Sequence, residues 1–241
     1  MKLEGQVALI TGGSRGLGLA IGRALAAEGA AIACLARAGE ELERAVAELS
    51  GSGARAFAVP ANVTAAAEVE RAVETTLAKW KRLDIVILNA GTWQGAPLPD
   101  TSEQMWDLLL DLNLKGAFLT LRHALPAMIR QRRGTVIGIG SLGGWVGQPG
   151  SAAYAASKWG LRGLLESVAL EVKPHGVRVS LVHPHNMNSS GRALAPDSPE
   201  RVRMIETSEV ASLIAWICAA PGYVSVGNVT IWPQAAGITG A

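Results

Sequence analysis

Tyr154 and Lys158 stand four residues apart in Tyr154-Ala155-Ala156-Ser157-Lys158, at the opening of a segment with helical period. That spacing places both side chains on one face of a helix. A neighbouring ammonium favours the phenolate and draws a phenol's pKa down from about 10. A tyrosine so placed can give or take a proton near neutrality. Thirteen residues earlier, Ser141 closes an apolar run, and its hydroxyl can reach the same space to hydrogen-bond a carbonyl oxygen. Asn89-Ala90-Gly91 closes another such run and brings further polar groups to the same edge.

A second constellation lies near the N-terminus. Thr11-Gly12-Gly13-Ser14-Arg15-Gly16-Leu17-Gly18 follows the first apolar run and leads at once into a helical segment. At the C-terminal edge of a parallel strand, the unpaired N–H groups of such a helix start can hold a pyrophosphate, and the glycines permit its close approach. An acidic residue about 20 positions further on would bind the ribose 2′-hydroxyl of NAD. Here that place reads Leu35-Ala36-Arg37. Arg37 and Arg15 offer planar, permanently charged donors to a 2′-phosphate instead, so the expected cofactor is NADP(H) rather than NAD(H). The plainer alternative is that both arginines are solvated surface residues.

The elements that must position these groups alternate along the chain. Strands are predicted at Val7–Thr11, Ala31–Leu35, Ala54–Val59, Ile85–Leu88, Thr135–Ile139, Val177–Val182 and Val229–Trp232. Helices are predicted at Leu17–Ala27, Glu41–Leu49, Ala66–Trp80, Glu103–Arg130, Ala152–Val172 and Glu209–Ala219, where apolar residues recur at intervals of three and four. This alternation gives right-handed crossovers and a parallel sheet covered on both faces, an α/β fold in a single domain. The polar stretch from Ser189 to Ser208 is the place for a mobile loop, about residues 190–207, over a substrate.

Composition narrows the function classes. Of 241 residues, 49% are hydrophobic and 17% charged, with a net charge of +2, so neither a disordered chain nor a nucleic-acid-coating surface fits. No run approaches the roughly 18 apolar residues of a membrane span, and the N-terminal apolar stretch is too short for a signal peptide. Cys34 and Cys218 lie far apart in apolar surroundings, poor material for a disulfide scaffold. A cytoplasmic setting is the expectation. His123, His175, His183 and His185 have no carboxylate or cysteine at ligand spacing, so no metal is expected.

Taken in order, Thr11–Gly18, Asn89-Ala90-Gly91, Asn113 in Leu112-Asn113-Leu114-Lys115-Gly116, Ser141 and Tyr154-x-x-x-Lys158 resemble the short-chain dehydrogenase/reductases. The form is the one with a T-G-x-x-x-G-x-G turn, and the likeness runs from Val7 to about Trp232. It is nearest to carbonyl reductases similar to the 3-oxoacyl-acyl-carrier-protein reductases. That resemblance implies a doubly wound, seven-stranded Rossmann sheet and often a homotetramer. It makes Tyr154 the general acid in reduction and the base in oxidation. It has Lys158 lower that pKa and hold the nicotinamide ribose, Ser141 polarise the carbonyl, and Asn113 support a water-linked proton relay. It assigns Gly12, Ser14, Arg15, Gly16, Leu17, Gly18, Arg37, Asn62, Val63, Asn89, Ala90, Gly91, Tyr154, Lys158, Pro184, Met187 and Ser189 to the cofactor. Asn62-Val63 would lie beside the adenine where Asp-Val is usual, and His185 replaces the family's glycine after Pro184.

The expected activity is interconversion of a ketone or aldehyde with its alcohol, on a small-molecule substrate and in a homo-oligomer, with no nucleic-acid or membrane partner. A rival is an NADP-binding sensor or partner-binding protein with little turnover, since fold does not fix function. A sugar-nucleotide epimerase or dehydratase on the extended fold is disfavoured by the chain's length and glycine spacing. Trp93, Trp145 and Trp159 neighbour the motifs and would either line the substrate space or pack in the core.

Overall fold

The structure is a computed structural model and describes residues 1–189, 194–195 and 198–235. Seven strands form one parallel sheet: β1 (Val7–Thr11), β2 (Ala31–Ala36), β3 (Ala56–Pro60), β4 (Ile85–Leu88), β5 (Gly134–Ile139), β6 (Val177–Pro184) and β9 (Asn228–Ile231). Their order is β3-β2-β1-β4-β5-β6-β9, so the chain reverses its direction of travel between β1 and β4. Ligands of open α/β sheets bind outside the carboxyl ends of the strands at such a switch point. A short parallel ribbon joins β7 (Met187–Asn188) to β8 (Ile205–Glu206).

Side chains along each strand alternate between two cores. From β1, Val7 and Leu9 face one and Ala8 and Ile10 the other; from β4, Val86 and Leu88 oppose Ile85 and Ile87. Helices α3 (Ala66–Trp80), α5 (Gly116–Gln131) and α6 (Ala152–Val172) close the first core. Helices α1 (Gly16–Ala27), α2 (Glu40–Gly51) and α7 (Thr207–Ala219) close the second. Central strands buried on both faces are nearly all apolar for this reason. Asp84, just before β4, is charged and buried, and accepts the Val7 N–H at 3.0 Å and two N–H groups of Arg82 at 2.7 Å. Among the described residues no helix is long and apolar enough to cross a membrane.

Three expectations need correction. The segment Glu103–Arg130 is not one helix but α4 (Glu103–Leu110), a π-helical turn at Asp111–Lys115, and α5. The widened turn carries Asn113, whose buried side chain bonds across to two other segments, so tertiary contacts override the local helical period. β3 begins two residues late because the Ala54 N–H closes α2 on Leu49 O at 3.1 Å. Helix α7 begins two residues early because Glu206 and Glu209 form a reciprocal capping box. Of the expected 190–207 loop, residues 190–193 and 196–197 lie outside the described residues. Pro199–Arg203 form a 3₁₀ turn, and Ile205 and Glu206 belong to β8.

Candidate active site

The nucleotide side of the site is shaped by backbone. Gly12 and Gly16 adopt positive φ of 65° and 52°, folding the turn back towards α1. A Cβ on Gly18 would run into the Gly12 carbonyl, so the helix enters with no room for a side chain. Arg15, at the N-cap, makes no side-chain bond to the helix, and the first turn of α1 holds no acid. Its N–H groups therefore keep their partial positive charge for an anion.

Thr11 locks this turn to β4, a role its place in the motif did not reveal. Its hydroxyl donates to Ile87 O at 3.1 Å and accepts the N–H groups of Asn89 and Ala90 at 2.9 and 3.0 Å. The Asn89 side-chain amide donates to the carbonyls of Thr11 and Gly12 at 3.0 and 3.2 Å. Asn89 and Ala90, which the resemblance assigns to the cofactor, thus also brace the loop. Arg15 stands 3.5 Å from Glu41, both exposed. Arg37 is exposed at the end of β2 and forms no ion pair with another described residue. Asn62 is exposed and Val63 buried against Gly116. The Asn62 side-chain oxygen already accepts the N–H and hydroxyl of Thr64, both at 3.1 Å.

The catalytic side is built from side chains. Ser141 follows β5, while Tyr154 and Lys158 lie one turn apart on α6, so the expected trio converges. Ser141 Oγ accepts the Gly143 N–H at 3.2 Å and hydrogen-bonds Tyr154. Lys158 Nζ is buried, donates to Ile139 O at 2.8 Å and lies 5.8 Å from the Tyr154 ring centre. Burial pushes the Tyr154 phenol up, against the smaller downward pull of Ser141, and pushes the Lys158 ammonium down to about 8. The expected lowering of the tyrosine by the lysine is therefore not found. Enclosure penalises both charged forms, and the ammonium is spent on a backbone carbonyl.

Asn113 is held rather than free. Its oxygen accepts the Thr92 N–H at 2.8 Å, and its amide donates to Thr92 O and Ser157 Oγ, each at 3.0 Å. Ser157 in turn donates to Tyr154 O at 2.7 Å. Asn113 thereby ties the loop after β4 to the turn that carries Tyr154. Gly91 leaves space for it, since a Cβ there would come 2.8 Å from the Asn113 oxygen. Ser157, inside the Tyr154–Lys158 motif, is thus a structural link between Asn113 and Tyr154 rather than mere spacing.

At the end of β6 Pro184 is buried, and beyond it Met187 packs on the second core and Ser189 is half-buried. The His185 N–H donates to Ile231 O at 2.9 Å, while its Nδ1 is buried without a partner and burial lowers its pKa. Trp93, Trp145 and Trp159 are all substantially exposed, which removes the core reading for them. On the inner face of α6, Leu161, Leu165 and Val168 pack in the first core. Among the described residues no group of three or more His, Cys, Asp or Glu could hold a metal ion.

The chain is similar to known proteins along most of its length. A 3-oxoacyl-[acyl-carrier-protein] reductase of Synechocystis is 40% identical over 183 residues, 76% of this chain and 74% of that one. The FabG 3-oxoacyl-[acyl-carrier-protein] reductase of Staphylococcus aureus is 40% identical over 178 residues, 73% of this chain and 72% of the relative. A metagenomic short-chain oxidoreductase, solved in complex with NADP, superposes with a TM-score of 0.85 at 36% identity, covering 97% of this chain and 99% of that one. The short chain dehydrogenase model matches residues 6–197, which carry the glycine turn, Ser141, Tyr154 and Lys158, and the chain belongs to that family of oxidoreductases.

Proposed function

We propose that this protein is an NADP(H)-dependent oxidoreductase that interconverts a ketone or aldehyde with the corresponding alcohol. The observation that carries the reading is the convergence of Ser141, Tyr154 and Lys158 at the carboxyl edge of the sheet that also bears the Thr11–Gly18 turn. A dinucleotide suits the residues present, because Gly18 has no room for a side chain and the start of α1 is uncapped by its N-cap side chain. Arg37, exposed and without a carboxylate partner, supports a 2′-phosphate, as does the NADP bound by the metagenomic relative.

When bound, the nicotinamide supplies the hydride. The chain supplies a proton and an electrostatic frame. In reduction, Ser141 Oγ–H donates to the substrate carbonyl oxygen and Tyr154 delivers its phenolic proton to that oxygen as negative charge builds. Lys158 then steadies the phenolate. Burial raises the Tyr154 phenol, so the resting side chain carries the proton that reduction requires. Asn113 and Ser157 fix the backbone beneath Tyr154, a positioning role that replaces a free side-chain relay. Exposed Trp106, Leu108, Phe118 and Trp159 support a homo-oligomer, and two buried free cysteines accord with a reducing cytoplasm.

The test follows NADPH consumption across a broad carbonyl panel, with Tyr154→Phe run beside the native protein. Loss of the proton donor lowers kcat by about 10² to 10⁴ while NADPH binding persists. Tight NADPH binding without turnover on any carbonyl would instead favour the sensor reading, for which the bulk of His185 beside Pro184 is the supporting feature.

A further inference from the structure

His183 takes no part in the mechanism above, yet the active-site turn is shaped around it. The ring is fully enclosed. A Cβ on Gly140 would stand 2.5 Å from its Nδ1, and one on Gly144 would lie 3.5 Å from the ring, so the glycines on either side of Ser141 leave the space it fills. Its Nδ1 lies 2.9 Å from Ser141 O and at a longer 3.4 Å from Ser141 N. A carbonyl oxygen only accepts, so the 2.9 Å contact calls for the proton on Nδ1, whereas the Ser141 N–H could donate to Nδ1 at 3.4 Å only in the other tautomer; the shorter contact favours Nδ1–H. Nε2 is then bare and buried, with no hydrogen bond of normal length to it.

Burial and the nearby cations Arg162 and Lys158 lower the ring's pKa, which keeps it neutral in this tautomer. The Asn228 side chain lies within hydrogen-bonding reach of the ring and, with Ser141, pulls its pKa back up against the burial, while its amide donates to Glu166 at 2.9 Å. The outer side is closed by Trp145, edge-on to the imidazole at 5.4 Å between ring centres and itself covered by the Arg162 guanidinium at 3.8 Å.

We infer that His183 is a positioning residue for the reaction: its Nδ1–H holds the Ser141 backbone, and so aims the Ser141 hydroxyl at the substrate oxygen beside Tyr154. The inference rests on Ser141 as the carbonyl-polarising group. Sequence placed His183 only among rejected metal ligands, because the partner it holds is main chain 42 residues away.

Two measurements on the full-length protein test it. In ¹⁵N-histidine NMR near pH 7.5, His183 should show a protonated Nδ1 and an unprotonated Nε2; a protonated Nε2 with a bare Nδ1 would overturn the inference whether or not a substrate is known. In steady-state kinetics, His183→Leu keeps the volume but removes the donor. It should lower kcat by about tenfold or more, with KM and the NADPH dissociation constant within about twofold. His183→Asn restores an N–H near Nδ1 and should recover most of kcat. Equal kcat in Leu and wild type would reduce the ring to a space-filler. Equal loss in Leu and Asn, with melting temperatures unchanged, would also sink the idea. A wild-type chain that reduces no carbonyl counts against the proposed function, and the tautomer then decides the fate of His183 by itself.

Discussion

Around Thr11–Gly18 the site consists of backbone, glycine and an uncapped helix start, whereas between β5 and α6 it consists of side chains, half-buried Ser141 and Tyr154 backed by buried Ser157 and Lys158. The first region binds by leaving space. Its bonds, from Thr11 and Asn89, are ordinary neutral hydrogen bonds that also hold the fold together. The second region holds Lys158 at a pKa of about 8 and a phenol raised by burial, so its groups are desolvated and stay so only because packing fixes them. Binding and folding therefore share residues in one region, while catalysis and folding oppose each other in the other.

The sharpest way to break the first half of that contrast is Gly18→Ala. Its methyl group meets the Gly12 carbonyl, and backbone must move, so we expect a loss of about 3 kcal/mol or more together with loss of NADPH binding. Thermal melting with and without NADPH reads both, and a stable variant that still binds would show that the turn is loose.

Lys158→Met probes the second half and should move stability the other way. The ammonium titrates at 10.5 in the unfolded chain and about 8 in the folded one, so between those values the unfolded state binds more protons and stability rises with pH. At pH 7 the buried charge costs up to about 3 kcal/mol. The Met variant should be inactive yet more stable at pH 7 without ligand, with its advantage shrinking as pH climbs from 8 to 10.5. Denaturant melts across that range would show a constant difference if the lysine carried no such penalty.

Legibility followed the same division. The Thr11–Gly18 turn and the Tyr154/Lys158 pair could be read because each depends on local spacing, a turn or one helical repeat. The alternating cores of β1 and β4 could be read for the same reason. The break at Asp111–Lys115 could not, since a lone Gly116 behind it is compatible with a continuous helix and the cause is Asn113 reaching Thr92 and Ser157. Thr11 as a brace and His183 beneath Ser141 were hidden because both bind main chain in distant segments. The upward shift of Tyr154 depends on enclosure, which spacing does not report.

Smaller effects sharpen the cofactor side. Arg37→Asp removes a cation and adds a repelling charge, so NADPH binding should weaken by about tenfold to a hundredfold while NADH binding changes little. Fluorescence titration with both nucleotides checks this, and equal losses would remove Arg37 from the 2′-phosphate. Smallest of all, Glu41→Gln should change stability by less than about 1 kcal/mol, because the Arg15 pair is exposed at 3.5 Å. By releasing Arg15 it should tighten NADPH about twofold; weaker binding would mean the ion pair holds Arg15 where the nucleotide needs it.

The bonds from Asn89 to Thr11 and Gly12 also bear on the order in which the molecule is made. The glycine motif is complete by residue 18, but the amide that holds its turn arrives 78 residues after Thr11. During synthesis β1 gains β2 early and stays open on its other edge until β4 emerges. A ribosome that stopped near residue 60 would release a chain with the whole fingerprint and no braced nucleotide site. In this protein the fingerprint is not a portable module, and the pocket comes into being only when the middle of the chain returns to its beginning.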